Sequence, residues 1–506
     1  MRELHTGAGC VQRQERCACH YERNPEVKKE EKFKVTNWLA FAFLTICGLA
    51  NAVGKEVCET ATIEAVTVSD LPDGNVSSAK DKHDRGEASS FSWPQILGTQ
   101  YTWMRQHQST LSAPYSGQLS LNPAGDIAAS HTVGAYIGWS LTDKLQAYLD
   151  LEKFMGAGVS GSTGLAGLTN GDVVRQGAGN LKKRPYVARR YLRNVVPLSE
   201  ETSDVEAAQG QVAGKEATTR LEFKIGTTAV SDDFDKNRYA NSTRTQFMNW
   251  SLWNNGAWDF AADTRGFTNG VLAAFVSPAW SLRAGIYQMP SMANGQDLDA
   301  PLRKARAENL ELTFAPNDRG TIVRLLAYRN IARMGIYRDA LNLARATGSA
   351  PSIVAQDRDG RKKYGVGVNI EQPITDDGET GVFLRAGWND GKTESFAFTE
   401  IDSTLAAGMQ LSGANWGRAD DRVGAAFVSN GLSRAHRDYL IAGGSGFVLG
   451  DGTMHYGREQ IVESYYRIAL FKHVQLSPDF QYIRNPGMNS DRGPVKFASF
   501  RLHVEY

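Results

Sequence analysis

Beyond residue 58 this 506-residue chain has no cysteine; Cys10, Cys17, Cys19, Cys47 and Cys58 all precede that point. A disulfide-stapled fold is excluded for the rest, as expected of a chain that crosses an oxidising compartment and needs no staples. Cys17 and Cys19 stand beside His20, but no second ligand cluster accompanies them, so no metal site is expected. No apolar run reaches the roughly 20 residues of a membrane helix, and mean hydropathy is −0.37. Helical membrane proteins are thereby excluded; a β-barrel is not, because only its alternate residues meet lipid. Charge of either sign is not in excess, 56 basic residues standing against 55 acidic, so nucleic acid is not an expected partner. Catalytic signatures are missing too. The nine histidines form neither H-x-x-x-H nor H-E-x-x-H, and there is no G-x-S-x-G or Walker A sequence. Asp150 and Glu152 would share a strand face at a separation of about 7 Å, which overlaps glycosidase geometry, but such pairs are common on any polar face. No enzyme activity and no cofactor are expected.

What is present begins with an export signal. The basic stretch 28–34 (KKEEKFK) precedes the uncharged run 38–49 (WLAFAFLTICGL) and then Ala50-Asn51-Ala52. That order describes a secretory signal peptide cut after Ala52. Residues 53–95 are polar and aperiodic and read as a flexible periplasmic tail. From about Ile96 to Tyr506 the texture changes to short alternating runs. Val133, Ala135, Ile137 and Trp139 alternate with Thr132, Gly134, Tyr136 and Gly138. After Thr142-Asp143-Lys144 the alternation resumes at Leu145, as in a hairpin. Similar runs surround Leu221–Ile225, Trp280–Tyr287, Leu310–Phe314, Tyr364–Glu371 and Val382–Asn389. The final ten residues close the series: Ala498, Phe500, Leu502, Val504 and Tyr506 on one face; Phe497, Ser499, Arg501, His503 and Glu505 on the other.

A soluble sandwich would alternate as well. Export, and polar faces that mix charge with glycine and tyrosine, point instead to a water-filled lumen. Some connections are short and polar, such as 316–320 and 375–379. Others, such as the Gly-rich Gly156–Gly179, Arg338–Gly360 and Asp390–Asp421, are long. The expectation is an all-β, transmembrane, antiparallel up-and-down barrel of about 16 strands, with 18 also possible, closed by the strand ending at Tyr506. Its lumen-facing residues, each the polar partner in an alternating run, are Asp150, Glu152, Arg189, Arg193, Glu222, Lys224, Arg283, Glu311 and Arg385. Arg189, Tyr191 and Arg193 fall on one face, with Arg190 on the other. Guanidinium groups beside aromatic rings suit a sugar path, the forks bonding hydroxyls and the rings stacking on pyranose C–H faces; the same charges could select anions.

The C-terminal block 477–483 (SPDFQYI), then Asn485-Pro486-Gly487, Arg492-Gly493-Pro494 and 501–506 (RLHVEY), resembles the carbohydrate-selective porin family (OprB) of Gram-negative outer membranes. Upstream, Asp233-Phe234-Asp235, Gln246-Phe247-Met248-Asn249, Gly256-Ala257-Trp258-Asp259 and Ala262-Asp263 look like that family's central signature. Glu459 and Glu463-Ser464-Tyr465-Tyr466 look like its penultimate-strand motif. The resemblance implies a single-chain barrel passing sugars by diffusion into the periplasm, with carbohydrate solutes and outer-membrane lipid as partners. The barrel-assembly machinery would engage its C-terminal strand, and the oligomeric state stays open. The alternatives are an anion- or acidic-oligosaccharide-selective porin of the same fold, and an exported soluble glycan-binding or hydrolytic β-protein.

Overall fold

The computed structural model describes residues 93–173 and 184–506. The expected signal segment 1–52, and the polar tail up to residue 92, lie outside the described residues, as does part of the glycine-rich connection. The strands in chain order are β1 (Gln95–Gln108), β2 (Asp126–Ser140), β3 (Leu145–Gly156), β4 (Tyr186–Pro197), β5 (Thr202–Val205) and β6 (Gly214–Ala217). Next come β7 (Arg220–Thr228), β8 (Thr268–Val276), β9 (Trp280–Gln288), β10 (Arg306–Phe314), β11 (Ile322–Met334) and β12 (Arg358–Thr375). The last are β13 (Thr380–Asn389), β14 (Ser403–Ser412), β15 (Arg422–Gly431), β16 (Glu459–Phe471), β17 (Val474–Arg484) and β18 (Val495–Glu505). All but β5 and β6 join one closed barrel of 16 strands, and β5 and β6 pair separately. Every pairing is antiparallel. The seam is β1 on β18, with Tyr101 opposite Val504 and Arg105 opposite Phe500. A sheet closed on itself has no unpaired edge, the condition for crossing a bilayer with strands.

The two faces sort as the alternation requires. Phe223, Ile225, Leu310, Val366, Leu384, Met409, Phe427, Val462, Phe480 and Phe500 are exposed, an outward apolar band. Their sequence neighbours Lys224, Glu311, Arg385, Glu463, Gln481 and Arg501 are buried inside. Exposed Trp280, Phe471 and Tyr506 lie at the end where the connections are short; exposed Trp388 and Tyr364 lie toward the other, as in the aromatic girdles of outer-membrane barrels. The glycines and tyrosines of the inner face are cross-strand partners. Gly365 is opposite Tyr328 and Gly424 opposite Tyr465. A Cβ at either glycine would sit 2.2 Å from the partner ring, so only glycine lets these rings lie flat on the wall.

Two departures from the sequence reading concern the connections. The stretch Asp390–Asp421, expected as one long loop, contains β14, STLAAGMQLS. Its inward residues Thr404, Ala406, Gly408 and Gln410 are mostly small, so the contrast between its faces is low. The long connection after β11 carries the helix α2 (Tyr337–Thr347), and that after β15 carries α3 (Arg434–Ile441); a third, one-turn helix α1 (Trp250–Trp253) belongs to the connection after β7. Along β4 the pairing slips at Asp150/Leu151, where Arg189 stands opposite Asp150 but Val187 opposite Leu151. This bulge keeps Arg189, Tyr191 and Arg193 on the inner side while Val187 is turned out.

Candidate translocation site

The connections 157–173 and 229–267 do not stand away from the barrel; they fold into it. Phe234, Tyr239, Phe247, Met248, Leu252 and Trp258 are all at most 1% exposed. The longer of these, the inner segment, has almost no regular structure beyond α1 and hence no ladder to satisfy its own backbone. A buried N–H or C=O without a partner is costly, and charged wall residues supply the partners. Glu463 accepts the N–H groups of Met248 and Asn249. Glu459 does the same for two other connections, accepting from Ala166 (3.1 Å) and Gly167 (2.9 Å) of 157–173 and from Gly487 (2.8 Å) between β17 and β18. Glu311 accepts from Asp235 N and Glu371 from Arg238 N, both at 2.7 Å. Arg385 donates to the carbonyls of Ala240 (2.7 Å), Asp235 (2.8 Å) and Leu252, and pairs with the Asp235 carboxylate at 3.1 Å. Arg501 donates to Thr243 O and Gln246 O at 2.7 and 2.8 Å. The bonds from Arg385 and Arg501 carry an ionised donor, the stronger kind, and together these wall side chains fix the inner segment in place.

Beside that segment lies a cavity of about 720 Å³. One part of its lining is aromatic. Phe398 stacks on Trp250 with ring centroids 4.4 Å apart and on Phe260 at 4.1 Å, and meets Trp253 edge-on at 5.7 Å. The other part is a set of paired charges. Arg189 bonds Asp232 at 2.7 Å and reaches Asp150 at 3.3 Å and Glu152 at 3.9 Å. Arg244 holds Asp172 at 2.9 Å and Glu152 at 3.5 Å, and Arg324 holds Glu371 at 3.2 Å. Arg265 lies over the Tyr186 ring at 4.8 Å. Burial works to raise the Asp232 carboxyl, and the Arg189 guanidinium more than reverses it, leaving Asp232 well below the usual carboxylate range. Across the lining, basic and acidic groups are nearly matched, six against five.

The residues expected to face the lumen divide into three groups. Glu152 and Arg189 line the cavity, and Asp150 lies buried behind Arg189. Arg193 and Glu222 pair at 3.0 Å near the short-turn end, Lys224 holds Asp233 at 2.9 Å, and Arg283 donates to Ser281 at 2.6 Å. Glu311 and Arg385 are buried against the inner segment and are not among the cavity-lining residues. Arg244, Asp172, Trp250 and Phe398, which line the cavity, were not expected. All four sit in connections, where no alternation marks them. Trp250 follows directly on the central signature residue Asn249, whose side chain caps α1 by accepting from Ser251 N.

Residues 137–506 match the sequence profile of the carbohydrate-selective porin, OprB family. The chain belongs to that family. Among solved structures the porin is similar to OprB of Pseudomonas putida at high pH, with a TM-score of 0.61 and 15% identity, covering 82% of this chain and 94% of that one. It also matches the outer-membrane channel DcaP of Acinetobacter baumannii, with a TM-score of 0.45 and 11% identity over 83% of this chain and 99% of that one. No curated protein matches the chain. The first likeness shares the barrel, and family and fold together are those of an outer-membrane channel rather than an enzyme.

Proposed function

We propose that this porin performs passive, substrate-selective diffusion of carbohydrates into the periplasm. One observation carries the reading: the cavity sets stacked aromatic rings beside guanidinium–carboxylate pairs of nearly balanced charge. Ring faces attract the C–H surfaces of a pyranose, and fixed charges of both signs bond hydroxyls as donors and acceptors. Matched charge favours a neutral dipolar solute over a simple anion, because an anion gains from one sign what it loses to the other. Of the expected lumen residues, Glu152 and Arg189, which line the cavity, are the ones that would meet such a solute, with Asp150 behind them. The C-terminal strand is the segment that the barrel-assembly machinery would engage.

Swelling of liposomes holding the refolded porin tests the proposal. Neutral monosaccharides are expected to enter faster than amino acids of like size. Equal rates for the two would make the protein a general pore and overturn the selectivity.

A further inference from the structure

At the mouth where β18 ends, most connections are tight: 141–144, 277–279, 376–379 and 472–473. Outer-membrane barrels have short turns on the periplasmic side, so this is the exit. The connection 198–219 breaks the pattern. It leaves β4 and returns to β7 at the same end, where Val195 N bonds Lys144 O at 2.8 Å, and it contains the β5–β6 hairpin. The hairpin does not extend away from the mouth. It turns back along the inner wall, where three contacts of different kinds hold it. Val212, 5% exposed, packs among Tyr148, Tyr191 and Leu97, and its N–H donates to Tyr148 Oη at 3.3 Å. Gln209 donates from Nε2 to Asp150 at 2.7 Å. Glu216 is paired with Arg193 and, at 3.3 Å, with Arg220, both of which also hold Glu222. Gln209, at the tip, is itself exposed and belongs to the cavity lining.

We propose that 198–219 is a fixed exit filter, and that Gln209 is a specificity-determining residue on the periplasmic rim of the cavity. A hairpin held by a packed valine, a charge-assisted hydrogen bond and a four-member ion cluster is a wall, not a loose flap. With one amide N–H held by Asp150, the Gln209 side chain is oriented, and its Oε1 can accept a sugar hydroxyl that leaves the aromatic stack. The filter narrows the lumen on the side where the other turns leave it open, so it sets the largest solute that passes. The inference rests on the sugar-pore reading for the identity of the solute, but not for the narrowing itself.

Two variants test it: one with residues 200–217 replaced by an Asn-Gly turn, and Gln209→Trp. Barrel integrity is checked by the β-type circular dichroism spectrum and heat-modifiable gel mobility. In planar bilayers with KCl, the shortened variant is expected to conduct about twofold more than the parent, since conductance follows pore width. In swelling assays it should also admit longer oligosaccharides. Gln209→Trp, a change at an exposed side chain that leaves the packing of Val212 intact, should lower conductance and the permeation of monosaccharides. A folded shortened variant with parental conductance and parental size limit overturns the filter. So does Gln209→Trp with parental conductance, which decides the matter if the shortened chain does not fold. Conductance that shifts as expected in a protein showing no preference for sugars would keep the filter and remove the sugar reading.

Discussion

Arg385 illustrates how a charge on a barrel wall is used. Its guanidinium is fully buried and bonds three carbonyls of the inner segment as well as the Asp235 carboxylate. Removing one partner of a buried ion pair costs about 3–5 kcal/mol because the other is left uncompensated. Arg385→Ala is therefore expected to lower unfolding stability in detergent by that amount, measured by denaturant titration, whereas Asp150 should tolerate Asn with less effect, since Gln209 and Arg189 remain beside it. Trp250 has a different role. It offers its ring to the cavity through the stack on Phe398. Trp250→Ala removes a stacking surface worth about 0.5–1.5 kcal/mol, so half-saturation of current block by sugar should rise roughly two- to tenfold, with KCl conductance not reduced. Alternation on β13 marks Arg385 as inward. It cannot tell an arginine that meets solvent from one that meets a folded segment, because both need the same face.

Among the elements, α3 carries a titratable clamp outside the strands. His436 is fully buried; its Nδ1 lies 3.1 Å from Asp402 and its Nε2 3.7 Å from Glu400, and its ring stacks on Tyr337 of α2 at 4.3 Å. Glu400 in turn accepts Val448 N and Leu449 N, both at 2.7 Å. Three long connections thus meet at one imidazole. Burial alone would lower the His436 pKa; Asp402 and Glu400 outweigh it and raise the value to about 9. The stability of this loop cluster is expected to be full below about pH 6.5, the unfolded value, and to decline as pH rises through about 9. The thermal midpoint should follow that decline in the parent chain and be lower and flat across the same range in His436→Gln. The strands themselves were largely legible in the sequence because a wall between lipid and water forces a period of two. The connections were not, since 229–267 folds against the wall without a period. Its motifs, Asp233-Phe234-Asp235 and Gly256-Ala257-Trp258-Asp259, could be recognised only by likeness to a family.

For the whole molecule, closure is the governing property. Thr99 and Tyr506 exchange backbone bonds of 2.8 and 2.9 Å across the seam, and β1 pairs with β18 along nine consecutive register positions from Gln100↔Glu505 to Gln108↔Phe497. A chain lacking 495–506 would leave two open edges in hydrocarbon, which the bilayer does not tolerate. It is expected to fail to reach the outer membrane, as judged by fractionation of cells expressing it. Cavity charges that are nearly matched lead to a further expectation: a reversal potential near zero in a KCl gradient. A strong anion preference would instead favour the anion-selective reading of the same fold. The alternation of the last ten residues was legible early, but only the export signal and the repeated hairpins turned it into the closing strand of a barrel. The balance of charge in the lumen was not legible, because seven of the eleven charged lining residues, Arg244 and Asp172 among them, come from connections.

The bond from Arg501 to the inner segment joins the barrel's closing strand to its contents. Arg501 stands on the last strand, yet it holds Thr243 and Gln246, residues that lie between the seventh and eighth strands of the chain. Without that strand, two carbonyls of the inner segment lose the guanidinium that satisfies them. The closing strand thus fastens two things at once, the seam with β1 and the contents of the lumen. Loosening the wall at that point would loosen what the wall contains.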